Sequence, residues 1–282
     1  MKLLYILTIF SFILVGCEKK TVDTPQNQET PAIENSILDG EIIDLTHTFS
    51  QESVYWVTAK EFKLDPVAFG KTEKGYFYSA NNFETAEHGG THIDAPIHFV
   101  ANAPALDEIP LTQLIGKGIK IDVSEKVKYN RDYQISVEDL TNWEKENGVI
   151  PENVIVLLET GFSTFYPNKK EYLGTEERGA AAVKKLRFPG LSPEAATWLV
   201  TTRNIKSIGL DTASIDYGQS TTFQSHIILL SANIPAFENV AHLEKLPTKD
   251  FLVMALPMKI KGGSGGPLRI IAIVPTKVKS RK

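Results

Sequence analysis

Glu87-His88-Gly89-Gly90-Thr91-His92-Ile93-Asp94-Ala95-Pro96-Ile97-His98-Phe99 packs three of the chain's six histidines and one aspartate into eleven residues. His88, His92, Asp94 and His98 stand at even offsets, and in an extended segment even offsets face one side. Ile93, Ala95, Ile97 and Phe99 occupy the odd positions and are apolar. The stretch therefore predicts an extended segment with one imidazole and carboxylate face and one core face. A helix would also align His88 with His92, but Gly89, Gly90 and Pro96 disfavour one. Neutral imidazoles with a carboxylate are ligands for zinc, manganese or iron. Four such groups on one face of a core strand need partners, so a metal site is expected.

The rest of the chain sets the frame. Its 282 residues suit one large domain or two small ones, and 42% hydrophobic with 23% charged residues is a globular composition. A net charge of −4 without a basic stripe argues against nucleic-acid binding. Lys2 is followed by an apolar run from Leu3 to Val15, too short for an ordinary spanning helix, ending in Leu14-Val15-Gly16-Cys17. That end resembles a bacterial lipobox. Residues 1–16 are expected to be a signal peptide, and Cys17 the lipidated first residue of an exported, membrane-anchored lipoprotein facing the periplasm or the cell surface. Residues 17–38 are polar, carry Pro25 and Pro31, and read as a flexible linker. Cys17 is the only cysteine, so the domain over 39–282 has neither disulfides nor thiolate metal ligands.

Along that domain, β-rich runs recur at 41–45, 119–123, 154–158, 208–210, 227–230, 251–256 and 269–274. Val154 to Leu158 is apolar throughout, as a strand buried on both faces should be. Helices are expected between them. One starts after Ser136, with Asp139 at the reach-back position and Gly148 as its stop. One starts with Ser192 as cap and Pro193 behind it and runs to Thr202. A third covers 177–185. Interleaved strands and helices give an α/β domain with a mixed β core and flanking helices. Gly262-Gly263-Ser264-Gly265-Gly266 satisfies the serine-hydrolase pattern Gly-x-Ser-x-Gly, but Pro267 and a strand follow where a helix is required, and no histidine follows His242. A hairpin turn is expected there instead.

Residues 88–99 match His-x-Gly-Thr-His-x-Asp-x-Pro-x-His-Phe, and on that motif the chain resembles the cyclase superfamily of metal-dependent hydrolases, which includes bacterial kynurenine formamidase and isatin hydrolase. Phe188 to Ser192, Gly209 to Asp216, the pair His226 and Glu238, and Leu256 to Gly263 extend the resemblance over roughly residues 40–277. It implies a single cyclase-like domain, a tendency to dimers or tetramers, and one or two divalent ions, zinc or manganese. His88, His92 and Asp94 would hold the first ion, Asp94 and Glu238 would bridge, and His226 would serve the second. His98 would be the general acid/base rather than a ligand. The implied substrate is a small molecule: an aryl formamide (N-formylkynurenine to kynurenine and formate), or alternatively an isatin-type lactam or cyclic ester. Trp56 stands where formamidases present an aromatic side chain to substrate, yet Val57-Thr58-Ala59 follow it instead of Pro-Gly-Asp, and Tyr55-Trp56 looks closer to the isatin-hydrolase branch. His47 is expected to pack or support, and His242 to lie at the surface. A rival of another class is a metal- or ligand-binding lipoprotein without catalysis.

Overall fold

A computed structural model of the chain describes residues 40–276. Cys17, the signal peptide expected over residues 1–16 and the linker expected over residues 17–38 lie outside the described residues. Twelve strands are described: β1 (Glu41–Asp44), β2 (Lys63–Lys71), β3 (Phe77–Glu84), β4 (His92–Asp94), β5 (Ile115–Asp122), β6 (Gln134–Ile135), β7 (Ile155–Glu159), β8 (Gly190–Leu191), β9 (Ser207–Leu210), β10 (Ala236–Glu238), β11 (Phe251–Pro257) and β12 (Gly265–Val274). Six α-helices join them: α1 (Leu111–Leu114), α2 (Ser124–Val127), α3 (Val137–Asn147), α4 (Lys169–Leu173), α5 (Pro193–Trp198) and α6 (Gln224–Ser231).

The main sheet runs β1-β12-β11-β5-β7-β9-β10-β4. β4 then pairs with β12 as well, which closes the sheet into a barrel. β5, β7, β9 and β10 are mutually parallel, and the remaining pairings are antiparallel. This is the mixed β core of the expected α/β domain. β7 shows why its sequence is apolar throughout. Ile155 and Leu157 join one hydrophobic cluster with β4, β10, β11 and β12 side chains, while Val156 and Leu158 join another with Leu140, Leu199 and Leu229 of the helical layer. Alternate residues thus serve the two faces of one strand.

The helix signals act as expected where caps carry them. The Ser136 hydroxyl accepts from the Asp139 amide at 3.3 Å, and the Asp139 carboxylate accepts from the Ser136 amide at 2.7 Å. Gly148 ends α3 at φ 89°. Ser192 caps α5 one way only, its hydroxyl accepting from the Ala195 amide at 3.1 Å, and a π-helical turn over Leu199–Arg203 continues the helix. Two expectations need correction. The run Ile227 to Leu230 is part of helix α6, not a strand. Four adjacent apolar residues fit either element, and α6 takes helical spacing because Ser225, His226, Leu229 and Leu230 are its buried positions. The helix expected over 177–185 is a 3-10 helix confined to Ala180–Lys185, because Gly179 sits at φ 89° and interrupts the turn before it.

β2 and β3 form a separate two-stranded ribbon, which the sequence reading missed. Pro66 and the register shift between Pro66 and Ala68 break the alternation that would have revealed it.

Candidate metal and catalytic site

β4 is three residues long and fully buried. Ile93 points into the core, and its neighbours His92 and Asp94 point the other way, as strand periodicity requires. Pairing with β10 puts Glu238 directly opposite His92. The Glu238 Oε2 atom lies 3.3 Å from His92 Nε2 by that register. From the next layer, α6 brings His226 Nε2 to 3.2 Å from Asp94 Oδ2 and 3.1 Å from Glu238 Oε1.

The even-offset argument holds only within β4. His88 arrives through a turn at Gly89 and Gly90, where the backbone passes against two rings. A Cβ on Gly89 would lie 1.9 Å from the Tyr55 ring, and Gly90 has φ 57° beneath Phe49. Glycine is required at both places. The turn sets His88 Nδ1 2.7 Å from Asp94 Oδ1. His98 lies on a 3-10 turn over Pro96–His98. That turn stacks its ring on His88, with centroids 3.8 Å apart. The bend at Pro96 therefore carries His98 past the other three, into the same cavity.

Each of the three histidines beside the carboxylates has one nitrogen already engaged. The His92 Nδ1–H donates to the Gly90 carbonyl at 2.9 Å. The His226 Nδ1–H donates to Asp216 Oδ2 at 2.6 Å, and the same oxygen accepts the His226 backbone amide at 3.1 Å. For His88 the fixing group is Ser264. The Ser264 hydroxyl donates to Glu87 Oε2 at 2.6 Å and so accepts from His88 Nε2–H at 2.9 Å. The remaining nitrogens, His92 Nε2, His226 Nε2 and His88 Nδ1, then present lone pairs toward Asp94 and Glu238. His92 Nε2 is buried without a hydrogen-bond partner. Lone pairs facing carboxylate oxygens at these distances repel unless a positive charge lies between them. The donor set fits a divalent cation, with neutral imidazole and carboxylate donors and outer partners that fix each tautomer. Two groups qualify, His88 with His92 and Asp94, and Asp94 with His226 and Glu238; within each, the ligand atoms lie within 4.8 Å of one another. Asp94 belongs to both.

Protons show the same field. Burial opposes charge on His92, but Asp94 and Glu238 outweigh it and lift its pKa to about 10. His226 is raised well above its ordinary value against the same burial by Asp216, Asp94 and Glu238. Burial alone would raise Asp94, yet His88, His226 and His92 hold it well below the usual carboxylate range. His98 behaves oppositely. Burial lowers it to about 4, only partly opposed by Asp94. No side-chain hydrogen bond engages His98 among the described residues, so a neutral imidazole faces the cavity with both nitrogens free.

The cavity measures about 300 Å³. Val54, Trp56, Phe99, Ala213 and Phe223 make its apolar wall opposite the polar cluster. The Trp56 ring meets Phe223 edge-on at 6.3 Å and Phe188 at 6.5 Å, so it serves core and cavity together. His88, His92, Asp94, His98, His226, Glu238 and Trp56 all line this one cavity. His47 lies outside the cavity, stacked on Tyr166 at 3.7 Å, and burial first, then His242, lowers its pKa to about 4. His242 is about half exposed. The sequence reading gave no role to Asp216, Glu87, Ser264 or Asn239. Asn239 donates to the Gly90 carbonyl at 2.7 Å and accepts from the Tyr172 hydroxyl at 2.8 Å, which secures the turn that holds His92. Asp216 ends the stretch Gly209 to Asp216, and Ser264 stands in the glycine-rich turn over 262–266. That turn is the β11–β12 connection, as expected.

Comparisons with known proteins follow this geometry. The Cyclase family model matches residues 43–217. An isatin hydrolase of Roseibium aggregatum is 28% identical over 209 residues, covering 71% of this chain and 77% of its own length. A kynurenine formamidase of Salinibacter ruber is 25% identical over 230 residues, covering 82% and 96%. Among solved structures, isatin hydrolase A from Labrenzia aggregata bound to benzyl benzoate superposes with TM-score 0.77 at 31% identity, covering 85% of this chain and 95% of that one. Isatin hydrolase A from Ralstonia solanacearum gives TM-score 0.76 at 30% identity, covering 83% and 92%. The family model spans more than half of the chain, and the chain belongs to the Cyclase family.

Proposed function

We propose that this Cyclase-family chain is a metal-dependent hydrolase that opens the acyl–nitrogen bond of a small, flat aryl substrate, with an isatin-type lactam as the leading candidate. One observation carries the reading: three imidazole lone pairs and two carboxylates converge beside an imidazole with no bond of its own, under an aromatic wall. His88, His92, Asp94, His226 and Glu238 would hold one or two divalent ions, zinc or manganese. A cation bound there supplies polarisation of a carbonyl oxygen and acidification of a water. Trp56, Phe99 and Phe223 take the aryl ring and exclude bulk water. His98, neutral at physiological pH, accepts a proton from the attacking water and returns it to the departing nitrogen. Its stacking on His88 fixes where that proton moves.

The lactam leads because isatin hydrolases are among the relatives at 28–31% identity and Val57-Thr58-Ala59 follow Trp56. Formamide cleavage is the second reading. It is supported by kynurenine formamidases that match over 96% of their own length. A panel of isatin, N-formylkynurenine and lactones, assayed beside metal analysis of the same sample, tests both. Turnover of isatin well above the formamide is the expected result, and the reverse order promotes the second reading. Full metal with no turnover of any member would favour the binding-protein rival.

We also propose that the chain is exported and held at a membrane by lipid on Cys17. Cys17→Ser should move it to the soluble fraction or leave the leader uncut. Normal processing with an unchanged membrane fraction would reject the anchor.

A further inference from the structure

Part of the cavity's apolar wall stands on a turn rather than on the sheet. Trp56 and Ala59 line the cavity, and the Ala59 amide donates to the Trp56 carbonyl at 2.9 Å. Just upstream, the Val54 carbonyl accepts from the Gly90 amide at 2.8 Å, which ties the chain to the histidine segment. The turn has other supports. Val57 is buried in the core, and the Trp56 ring leans on Phe188. Its backbone is held from one direction. Among the described residues, the carbonyls of Trp56, Val57 and Ala59 accept from outside the turn only at Arg178 and Gly179. Arg178 Nη1 donates to the Trp56 carbonyl at 3.3 Å, and Arg178 Nη2 donates to the Ala59 carbonyl. The Gly179 amide donates to the Val57 carbonyl at 2.8 Å.

We infer that Arg178 is a positioning residue: it clamps this turn, sets where Trp56 and Ala59 stand over the polar floor of the cavity, and so tunes affinity for the substrate's aryl ring. The effect on the ring rests on the aryl-substrate reading above, whereas the clamp itself rests on hydrogen bonds alone. Three observations carry it. First, one planar guanidinium spans both ends of the turn, which the single ammonium of a lysine cannot do with the same fork. Second, the two carbonyls it takes belong to the two turn residues that line the cavity, while Thr58, which is exposed, bonds to neither Arg178 nor Gly179. Third, the guanidinium is itself aimed. Glu61 Oε1 lies 3.4 Å from Arg178 Nη1 and 2.5 Å from Lys169 Nζ, and Lys169 opens helix α4. That ion pair is partly exposed and contributes little on its own. The charge-assisted bonds to the two carbonyls are the stronger element. Arg178 does not line the cavity, so its loss acts through the turn.

Arg178→Ala tests this on the full chain with its metal. KM for the best aryl substrate of the panel should rise roughly tenfold, with kcat within about twofold, as loss of binding shared by ground and transition state requires. Metal content should not change. The Arg178 side chain is 36% exposed, so free guanidinium ion at millimolar concentration can reach the vacated place and should restore KM. Arg178→Lys should recover KM only in part, and Glu61→Gln should raise it less than Arg178→Ala. The clamp has a readout of its own. In Arg178→Ala the Ala59 and Gly179 amides should exchange hydrogen faster, while those of β7 keep their protection. An unchanged KM would overturn the proposal. So would a rise in KM that comes with loss of metal and of β7 protection, because Arg178 would then serve only the fold. If no aryl compound is turned over, the functional reading fails by itself; unchanged exchange at Ala59 and Gly179 then overturns the clamp, and faster exchange there supports it.

Discussion

The two donor groups that share Asp94 are built in different ways. His88, His92 and Asp94 come from one stretch of seven residues, and a glycine turn and a three-residue strand suffice to aim them. Asp94, His226 and Glu238 come from β4, α6 and β10, and the β4–β10 pairing with the packing of α6 against it brings them together. The local group is set by backbone geometry, the distributed group by strand register. Their outer supports differ likewise. A backbone carbonyl fixes His92 and a serine–glutamate pair fixes His88, whereas a buried carboxylate fixes His226 through two of its bonds.

The comparison predicts graded losses. Asp94→Ala breaks both groups at once, so metal content should fall to background and turnover with it, by roughly 10⁴-fold or more. Plasma emission analysis of the dialysed protein checks this, and a variant retaining full metal would place the cation elsewhere. His98→Ala should keep its metal while turnover drops by roughly 10² to 10⁴. Simultaneous loss of metal would instead make His98 a ligand. Asp216→Asn and Ser264→Ala touch one support each and should weaken metal binding by about 10- to 100-fold. Competition with a chromophoric chelator should show Asp216→Asn as the more damaging of the two. Equal effects would erase the distinction between the groups.

A histidine outside both groups gives the smallest effect. His47 is partly buried and His92 fully so, but burial with the neighbouring His242 lowers the pKa of His47 to about 4, while Asp94 and Glu238 lift that of His92 to about 10. The folded state disfavours protonated His47. Its contribution to stability is therefore complete above the unfolded value near 6.5 and fades as pH drops toward 4. The wild type should lose about 2 kcal/mol more than His47→Gln between pH 7 and pH 4 in urea titrations. Parallel losses would show that His47 titrates freely in the fold.

What the sequence disclosed follows the same division. His88, His92, Asp94 and His98 were legible because they are neighbours, although the extended run assumed for them is real only at 92–94. β7 was legible because both of its faces are covered, and α3 because Ser136, Asp139 and Gly148 are local signals. His226 and Glu238 were reached by family resemblance, not by pattern. Ile227 to Leu230 even suggested the wrong element around His226. Asp216 and Ser264 escaped because their partners lie 10 and 176 residues away. The ribbon escaped because Pro66 and a bulge hide its period.

β4 is hydrogen-bonded on both sides, to β10 and β12, and so it is the seam of the barrel. His92 and Asp94, which would help to hold a cation, are therefore locked into the architecture, while Trp56 and Phe223 hang on connections outside that seam. Such a partition lets descendants of one ancestor exchange substrates by rewriting two loops. It also gives protein engineers a scaffold whose reactive centre need not be rebuilt when its appetite is changed.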